Sequence, residues 1–181
     1  MANRIVLITG SPRNGNSAAM AYAFEQAAKK RGNEVIRFDA NSLYVEGCRA
    51  CGQCYKVPGI ACGLTDDFNK IADAVLSCNA VVFATPLYWY SWPSQIKSIL
   101  DRFFAFCNSQ SPIAGKSCAL MACCSERDSS AFQGLEYSYD QSVSYLGWHS
   151  VGKVLVPGVT KATDYEWTDA VARATALAEQ F

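Results

Sequence analysis

The apolar run Ile5-Val6-Leu7-Ile8 leads through Thr9 into the polar loop Gly10-Ser11-Pro12-Arg13-Asn14-Gly15-Asn16-Ser17, and this stretch decides the fold. A short apolar strand, a glycine-punctuated turn and a helix in that order build a phosphate site. The reason is that the first N–H groups of a helix have no intrahelical partner and carry positive partial charge, which attracts an anion. The stretch therefore predicts an anion site between the first strand and the first helix.

The loop residues narrow the kind of anion. The loop does not match GxGxxG, which disfavours a dinucleotide pyrophosphate. It nearly matches the pattern GxxxxGK[ST], but Asn16 stands at the lysine position, so a nucleoside triphosphate would lose its main counter-charge. We therefore predict a site for a single terminal phosphate, since an ordinary strand-to-helix turn does not need this density of polar groups. The candidate ligands are Ser11, Arg13, Asn14, Gly15, Asn16 and Ser17.

Composition limits the class of protein. The chain has 181 residues, of which 50% are hydrophobic, and a formal net charge of 0, which predicts one domain over residues 1–181 with a sizeable core. The neutral balance and the lack of a basic run argue against nucleic acid or an acidic membrane surface as partners. Neither a leader nor an apolar stretch of membrane-spanning length is recognised, so we expect a cytoplasmic protein. The single histidine excludes a zinc hydrolase site built on several histidines.

Short apolar strands alternate with helices along the chain. The strands are predicted at residues 5–8, 34–39, 80–84, 117–123 and 150–156. The helices are predicted at residues 16–31, from a cap at Thr65, after Pro93, at residues 129–147 and at residues 165–180. This order predicts an α/β protein with a flavodoxin-like, doubly wound five-stranded parallel sheet of order 2-1-3-4-5 in three α/β/α layers. Such a sheet places a ligand crevice at the carboxyl ends of its first and third strands.

The loops after the third and fourth strands have the composition of ligand loops. Residues 85–93 are dense in aromatic side chains, where a surface loop would normally be polar. A stiffened aromatic loop of this kind lines a planar ring by stacking and by main-chain hydrogen bonds, although an aromatic plug in the core or in a dimer interface is the alternative. The candidate ring-binding residues are Pro86, Leu87, Tyr88 and Trp89, with Ser125 after the fourth strand. One phosphate together with a planar ring predicts FMN.

Four of the nine cysteines lie in an irregular, cysteine-rich loop at about residues 46–64. Their spacing, Cys48-x2-Cys51-x2-Cys54-x7-Cys62, places three thiols within seven residues and the fourth nearby. A [4Fe–4S] cluster needs four converging thiolates, and a C-x2-C-x2-C run brings three of them together. Zinc is a second interpretation, although structural zinc sites more often use two separate CxxC pairs. Thiols that hold no metal are the third.

Three groups of motifs carry a resemblance that covers about residues 4–156: GSPRNGNS, then CRACGQC followed by DDF, then TPLYW followed by IKSILDR. In these motifs the chain resembles the flavodoxin-fold NAD(P)H-dependent FMN reductases, and within them it is most similar to the iron–sulfur flavoprotein branch. The resemblance implies FMN, with its phosphate on Ser11, Arg13, Asn16 and Ser17 and its ring against residues 86–89. It also implies NAD(P)H as a reductant and a homodimer or homotetramer. After the fourth strand the chain departs from the family's small, glycine-rich residues.

Three functions compete on the sequence alone. The first is an FMN-dependent oxidoreductase that passes electrons to a small acceptor, in which the FMN carries the chemistry and no side chain is catalytic. With an iron–sulfur cluster present, a ferredoxin-like protein is the expected donor of single electrons. The second is a non-enzymatic, flavodoxin-like electron carrier, but such carriers are usually strongly acidic and this chain is neutral. The third is a phosphate- or nucleotide-binding regulatory domain, which the aromatic loop disfavours. We expect the first.

Overall fold

Five strands and five α-helices alternate in the computed structural model, which describes residues 2–56, 61–108 and 111–181. Residues 57–60 of the predicted cysteine-rich loop lie outside the described residues. The strands are β1 (Arg4–Thr9), β2 (Glu34–Asp39), β3 (Ala80–Pro86), β4 (Ser117–Cys123) and β5 (His149–Val156). The helices are α1 (Asn16–Lys30), α2 (Phe68–Ser77), α3 (Ser94–Asn108), α4 (Gln133–Leu146) and α5 (Ala170–Leu177).

The strands form one parallel sheet in the order β2-β1-β3-β4-β5. This topology confirms the predicted fold class, and β2 and β4 have the predicted bounds. The strand order reverses between β1 and β3, so a crevice opens there at the carboxyl ends of the strands. Among the described residues, none of the helices combines the length and the apolar character that crossing a membrane requires.

Both faces of the sheet are covered, because apolar side chains alternate between two layers of helices. Val6 and Ile8 of β1 pack into a core with residues of α2, α3 and α4. Ile5 and Leu7 of the same strand pack on the opposite face with residues of α1 and α5. Successive side chains of a strand point to opposite faces, so a central strand buried on both faces reads as a continuous apolar run. This is why the short apolar runs in the sequence predicted the strands well.

Three predicted helix boundaries were wrong. The helix predicted at residues 129–147 begins with a 3-10 turn at Ser129–Phe132, and α4 starts at Gln133. Residues 165–180 do not form one helix, since a 3-10 turn at Asp164–Trp167 precedes α5 and a second 3-10 turn follows it at Ala178–Gln180. The first of these turns is held by a hydrogen bond from the Tyr165 N–H group to Asn16 Oδ1 at 2.7 Å. Thr65 does not cap α2, which begins at Phe68, because the Asp66 carboxylate accepts from the Phe68 N–H group at 3.0 Å.

A buried ion pair ties α3 to both ends of the cysteine-rich loop. The Arg102 guanidinium pairs with Asp66, and the side chains are 0% and 3% exposed, respectively. Arg102 also donates to the Leu64 carbonyl oxygen at 3.3 Å and lies 4.3 Å from the ring centroid of Phe68. Asp66 in turn accepts from the Glu46 N–H group at 3.0 Å. One charge pair therefore connects residues 46 and 64–68 to a single helix of the core.

Arg102→Met should lower the free energy of unfolding by about 3–5 kcal/mol, because it leaves the Asp66 carboxylate buried without its counter-charge. The matched control is Lys97→Ala on the same helix, which breaks the exposed pair between Lys97 and Asp101 and should change the free energy by less than about 1 kcal/mol. Urea unfolding of both variants measures the difference. Equal effects in the two variants would contradict a structural role for the buried pair.

Candidate active site

A glycine directly after β1 lets the first loop pass close to the end of β3. A Cβ atom on Gly10 would lie 2.7 Å from Ile96 Cγ1 and 2.7 Å from Thr85 Oγ1, which is too close for any other residue unless these side chains or the backbone shift. The Gly10 N–H group donates to the Ala84 carbonyl oxygen at 2.9 Å. Because glycine has no side chain, the loop can lie against the end of β3 at the crevice.

The first turn of α1 reaches the crevice without a capping side chain. Gly15 occupies the N-cap position and offers no side-chain oxygen to the first-turn N–H groups. The first helical hydrogen bond runs from the Ala19 N–H group to the Gly15 carbonyl oxygen at 2.9 Å, and Ser17 is buried in this turn. An uncapped helix N-terminus keeps its positive partial charge and its donors for an external anion. The anion site predicted from the sequence would lie at this turn.

Four segments enclose a cavity of about 210 Å³ at this edge of the sheet, which we call the polar cavity. Its lining residues come from the ends of the strands and the loops that follow them: Ser11, Arg13, Gly15, Asn16 and Ser17 after β1, Pro86, Leu87 and Tyr88 at β3, Cys123, Cys124 and Ser125 at β4, and Val159, Thr160, Lys161 and Ala162 after β5. The polar cavity thus brings together the predicted cofactor-binding residues, apart from two.

The two exceptions are Asn14 and Trp89. Asn14 is exposed and lines a separate groove beside α1, together with Tyr22 and Tyr165. Trp89 lines a neighbouring cavity, described below. Sequence analysis also missed residues 159–162. The signal was available in the predicted topology, because in a parallel sheet the loop after the fifth strand lies at the same edge as the other loops after strands.

A second space of about 410 Å³, the aromatic cavity, adjoins the polar cavity. The two share Leu87, Tyr88, Cys124 and Ser125, and the aromatic cavity extends to Trp89, Tyr90 and Glu126. Trp89 is 95% exposed, which is unusual for a large apolar side chain that has no ligand or partner. The two cavities together form a site with a polar, cationic end and a wider end bordered by aromatic rings.

The turn that carries Trp89 is held in a strained backbone conformation. Trp89 and Tyr90 have φ values of +47° and +61°, which L-residues other than glycine rarely adopt. The turn is closed by paired hydrogen bonds between Tyr88 and Ser91 at 3.1 and 3.0 Å. It is also packed against α4, where a Cβ atom on Gly134 would lie 2.6 Å from the Tyr90 carbonyl oxygen. Such strain persists only where surrounding contacts fix the backbone, so Trp89 is presented at a defined position.

Two cations line the polar cavity, and neither forms an ion pair with a described residue. They are Arg13 and Lys161, both exposed. The ion pairs found among the described residues use other lysine and arginine side chains. Two unneutralised cations beside an uncapped helix N-terminus make the polar cavity electropositive, which suits a phosphate group.

The adjacent thiols of Cys123 and Cys124 form part of the cavity wall. Burial raises the pKa of the Cys123 thiol to about 12; the neighbouring Cys124 raises it as well, and hydrogen bonds from Ser17 and the charge of Arg13 offset only part of this rise. Burial also raises the pKa of Cys124. Both thiols are therefore protonated near neutral pH and pack as small apolar groups in the cavity wall.

The four cysteines of the cysteine-rich loop line a third space of about 340 Å³, the cysteine cavity, together with Arg102 and Phe104 of α3. Cys48 and Cys51 are exposed, whereas Cys54 and Cys62 are half-buried. The described residues contain no group of three or more His, Cys, Asp or Glu side chains that is close enough to hold a single metal ion.

Comparison with known proteins identifies relatives of this chain. Residues 3–161 match the model of the family described as NADPH-dependent FMN reductase. An iron-sulfur flavoprotein of Methanosarcina thermophila is 32% identical over 100 residues, which are 55% of this chain and 51% of that protein. An iron-sulfur flavoprotein of Archaeoglobus fulgidus is 30% identical over 104 residues, which are 57% of this chain and 46% of that protein. The chain thus spans about half the length of the curated relatives it matches.

Solved structures support the fold. The NAD(P)H:quinone oxidoreductase from Methanothermobacter marburgensis superposes with a TM-score of 0.79 over 98% of this chain and 95% of that protein. The two sequences are 14% identical. At this identity the similarity establishes a shared architecture, whereas the chemistry of the site has to be argued from its own residues.

Alkylation of the thiols tests their placement. In iron-free and flavin-free protein at pH 8, iodoacetamide should label the exposed Cys48 and Cys51 readily and leave Cys123 unlabelled, because only about one part in ten thousand of a thiol with so high a pKa is thiolate at that pH. Mass spectrometry of peptides measures labelling at each cysteine, and the same protein unfolded in guanidinium chloride is the control. If Cys123 were labelled as fast as Cys48 in the folded protein, Cys123 would not be the buried, protonated thiol described above.

Proposed function

This chain belongs to the NADPH-dependent FMN reductase family, and on that premise we propose that it is an FMN-dependent oxidoreductase, using NAD(P)H to reduce a small acceptor. The observation that carries the proposal is the joined pair of cavities. One end combines an uncapped α1 N-terminus with two unpaired cations, and the other end is bordered by aromatic side chains. The proposal treats residues 1–181 as one FMN-binding domain that includes the cysteine-rich loop at about residues 46–64.

The residues that line the cavities fit FMN. Its single terminal phosphate suits the polar cavity, where the hydroxyl groups of Ser11 and Ser17 lie beside the first turn of α1 and Arg13 supplies positive charge. Its planar ring suits Pro86, Leu87 and Tyr88, with Ser125 as a polar neighbour. The match between a short polar end and a wider aromatic end supports one flavin with one phosphate, rather than a dinucleotide.

Bound FMN would supply the hydride and electron chemistry, so no side chain has to act as a catalyst. The chain's own residues would bind the flavin and its substrates and orient them. The protonated Cys123 and Cys124 contribute apolar wall and no charge. The rigid turn at Trp89 and Tyr90 offers aromatic faces beside the open end, where the nicotinamide of NAD(P)H and a planar acceptor such as a quinone would stack in turn. The exposed Trp89 also supports a homodimer or homotetramer in which this turn contacts another subunit.

Titration of flavin-free protein with FMN, followed by flavin fluorescence, tests the proposal. Arg13→Gln should weaken FMN binding about tenfold, because it removes one charge-assisted contact to the phosphate. Arg31→Gln, an exposed arginine at the other end of α1, is the matched control and should have little effect.

Anaerobic assays with NADH or NADPH and a quinone then test turnover. We expect oxidation of the nicotinamide only when FMN is bound. A protein that binds FMN and is not reduced by either nicotinamide would be an electron carrier. A protein that does not bind FMN would contradict both functions.

We further propose that the four cysteines of the cysteine cavity hold a [4Fe–4S] cluster. The donor set fits, because four thiols border one space and a cube of iron and sulfide holds its thiolates farther apart than a single ion does. Arg102 borders the same space, and its buried Nε atom has no acceptor among the described residues, which suits a negatively charged group. The cluster would accept single electrons, and a ferredoxin-like protein is the kind of donor that suits it.

Iron and acid-labile sulfide analysis of anaerobically purified protein tests this proposal. We expect about four irons per chain in the wild type and a large loss in Cys51→Ser. Cys107→Ala is the matched control, because Cys107 lies on α3 but does not line the cysteine cavity, and it should retain its iron. A wild-type protein with FMN and without iron would mean that these thiols hold no metal, and the flavin function would stand.

A further inference from the structure

The side chain of Asn16 holds the backbone of a distant segment. Asn16 Nδ2 donates to the Lys161 carbonyl oxygen at 2.9 Å across 145 positions of sequence. Asn16 Oδ1 accepts from the Tyr165 N–H group at 2.7 Å. Asn16 stands where the pattern GxxxxGK[ST] has its phosphate-binding lysine. Asn16, which stands at that lysine position, therefore fixes the backbone of another lysine, Lys161, at the same cavity.

The segment around Lys161 is fixed from three further directions. Asp164 Oδ2 accepts from the N–H groups of Thr160 and Lys161 at 2.7 and 2.8 Å, so both the N–H and the carbonyl group of Lys161 have defined partners. The Val159 N–H group donates to the Cys124 carbonyl oxygen at 2.9 Å. A Cβ atom on Gly15 would lie 3.6 Å from Ala162 Cα, which shows that the segment packs against the start of α1. Lys161 thus has a preorganised backbone.

The charge of Lys161 is available at the polar cavity. Lys161 lines that cavity beside Ser11 and Arg13 and forms no ion pair with a described residue. Asp164, on the same turn, accepts the two backbone N–H groups with Oδ2; these hydrogen bonds lower the pKa of its carboxyl group, and the charge of Lys161 lowers it further. A phosphate monoester carries between one and two negative charges near neutral pH, and Arg13 alone offers one positive charge. A second cation on an independent segment completes the neutralisation.

We propose that Lys161 is a phosphate-binding residue, whose ammonium group binds the terminal phosphate of FMN from the segment after β5, while Arg13 binds it from the loop after β1. This inference rests on the proposed FMN function. It assigns Asn16 as a positioning residue, which acts on the phosphate through the backbone of Lys161. It also places a second cation at the phosphate, although the first loop has Asn16 where the pattern GxxxxGK[ST] has its lysine.

Parallel titrations with FMN and with riboflavin, which lacks the phosphate, test the inference. Lys161→Gln should weaken FMN binding about tenfold and leave riboflavin binding within about twofold. Lys161→Arg should restore most of the FMN affinity, since it restores the charge. Lys30→Gln is the matched control for the loss of one exposed positive charge. The affinity of Lys161→Gln for FMN should also depend less on salt concentration than that of the wild type.

Asn16→Ala tests the positioning role. If Asn16 acts through Lys161, Asn16→Ala should weaken FMN binding. The double variant Asn16→Ala/Lys161→Gln should then bind FMN at most about twofold more weakly than Lys161→Gln alone. Additive losses would mean that Asn16 contacts the ligand itself, and would overturn the positioning role.

The outcomes separate this inference from the proposed function. A wild-type protein that binds neither flavin contradicts the proposed function, and the inference falls with it. Unchanged FMN affinity in Lys161→Gln, with normal affinity in the wild type, overturns the inference and leaves the function standing. Equal losses for FMN and riboflavin overturn it as well, because they would indicate a general disturbance of the site. A weaker affinity for NADPH with unchanged FMN binding would assign Lys161 to the other substrate instead.

Discussion

The parallel direction of all five strands is the constraint on which this structure depends. Two neighbouring parallel strands cannot be joined by a hairpin, so each connection must cross the sheet through a helix. Every strand therefore ends at the same edge, and the loops after β1, β3, β4 and β5 meet there. The cavity at that edge is a consequence of topology, and the loop residues decide only which ligand it suits. The close approach at Gly10 shows how little space separates these loops.

Helix α3 links this edge to the cysteine-rich loop. Near its start, Ile96 packs against the first loop at Gly10, and further along, Arg102 holds residues 46 and 64–66. Six residues of α-helix rise about 9 Å, so one rigid element fixes the backbone at both places. A buried ion pair costs desolvation free energy, because both charges must be removed from water. In this chain the pair fixes the position of residues 46 and 64–66 relative to α3.

The sequence predicted the parts of the structure that local patterns determine. β2, β4 and the order of the sheet followed from apolar runs and the helices between them, and the residues proposed for the flavin came together except Asn14 and Trp89. One of the errors lies where distant residues decide the backbone. The turn at Asp164–Trp167 interrupts the predicted last helix because Tyr165 is bonded to Asn16, 149 positions away. No window of sequence contains both partners, so no periodicity reveals the turn or brings Lys161 to the cavity.

The positions of the charges in the fold say more about the ligand that the polar cavity suits than the net charge of the chain does. A formal net charge of 0 argued against strongly basic or acidic partners. Some cations are neutralised by carboxylates, as Arg102 is by Asp66 and Lys153 is by Glu136 and Asp140. Arg13 and Lys161 differ because their cavity contains no carboxylate among its described lining residues. The local excess of positive charge arises from two segments at opposite ends of the chain, which only the fold brings together. The electropositive lining of the polar cavity is thus a consequence of topology, and the neutral net charge of the chain does not reveal it.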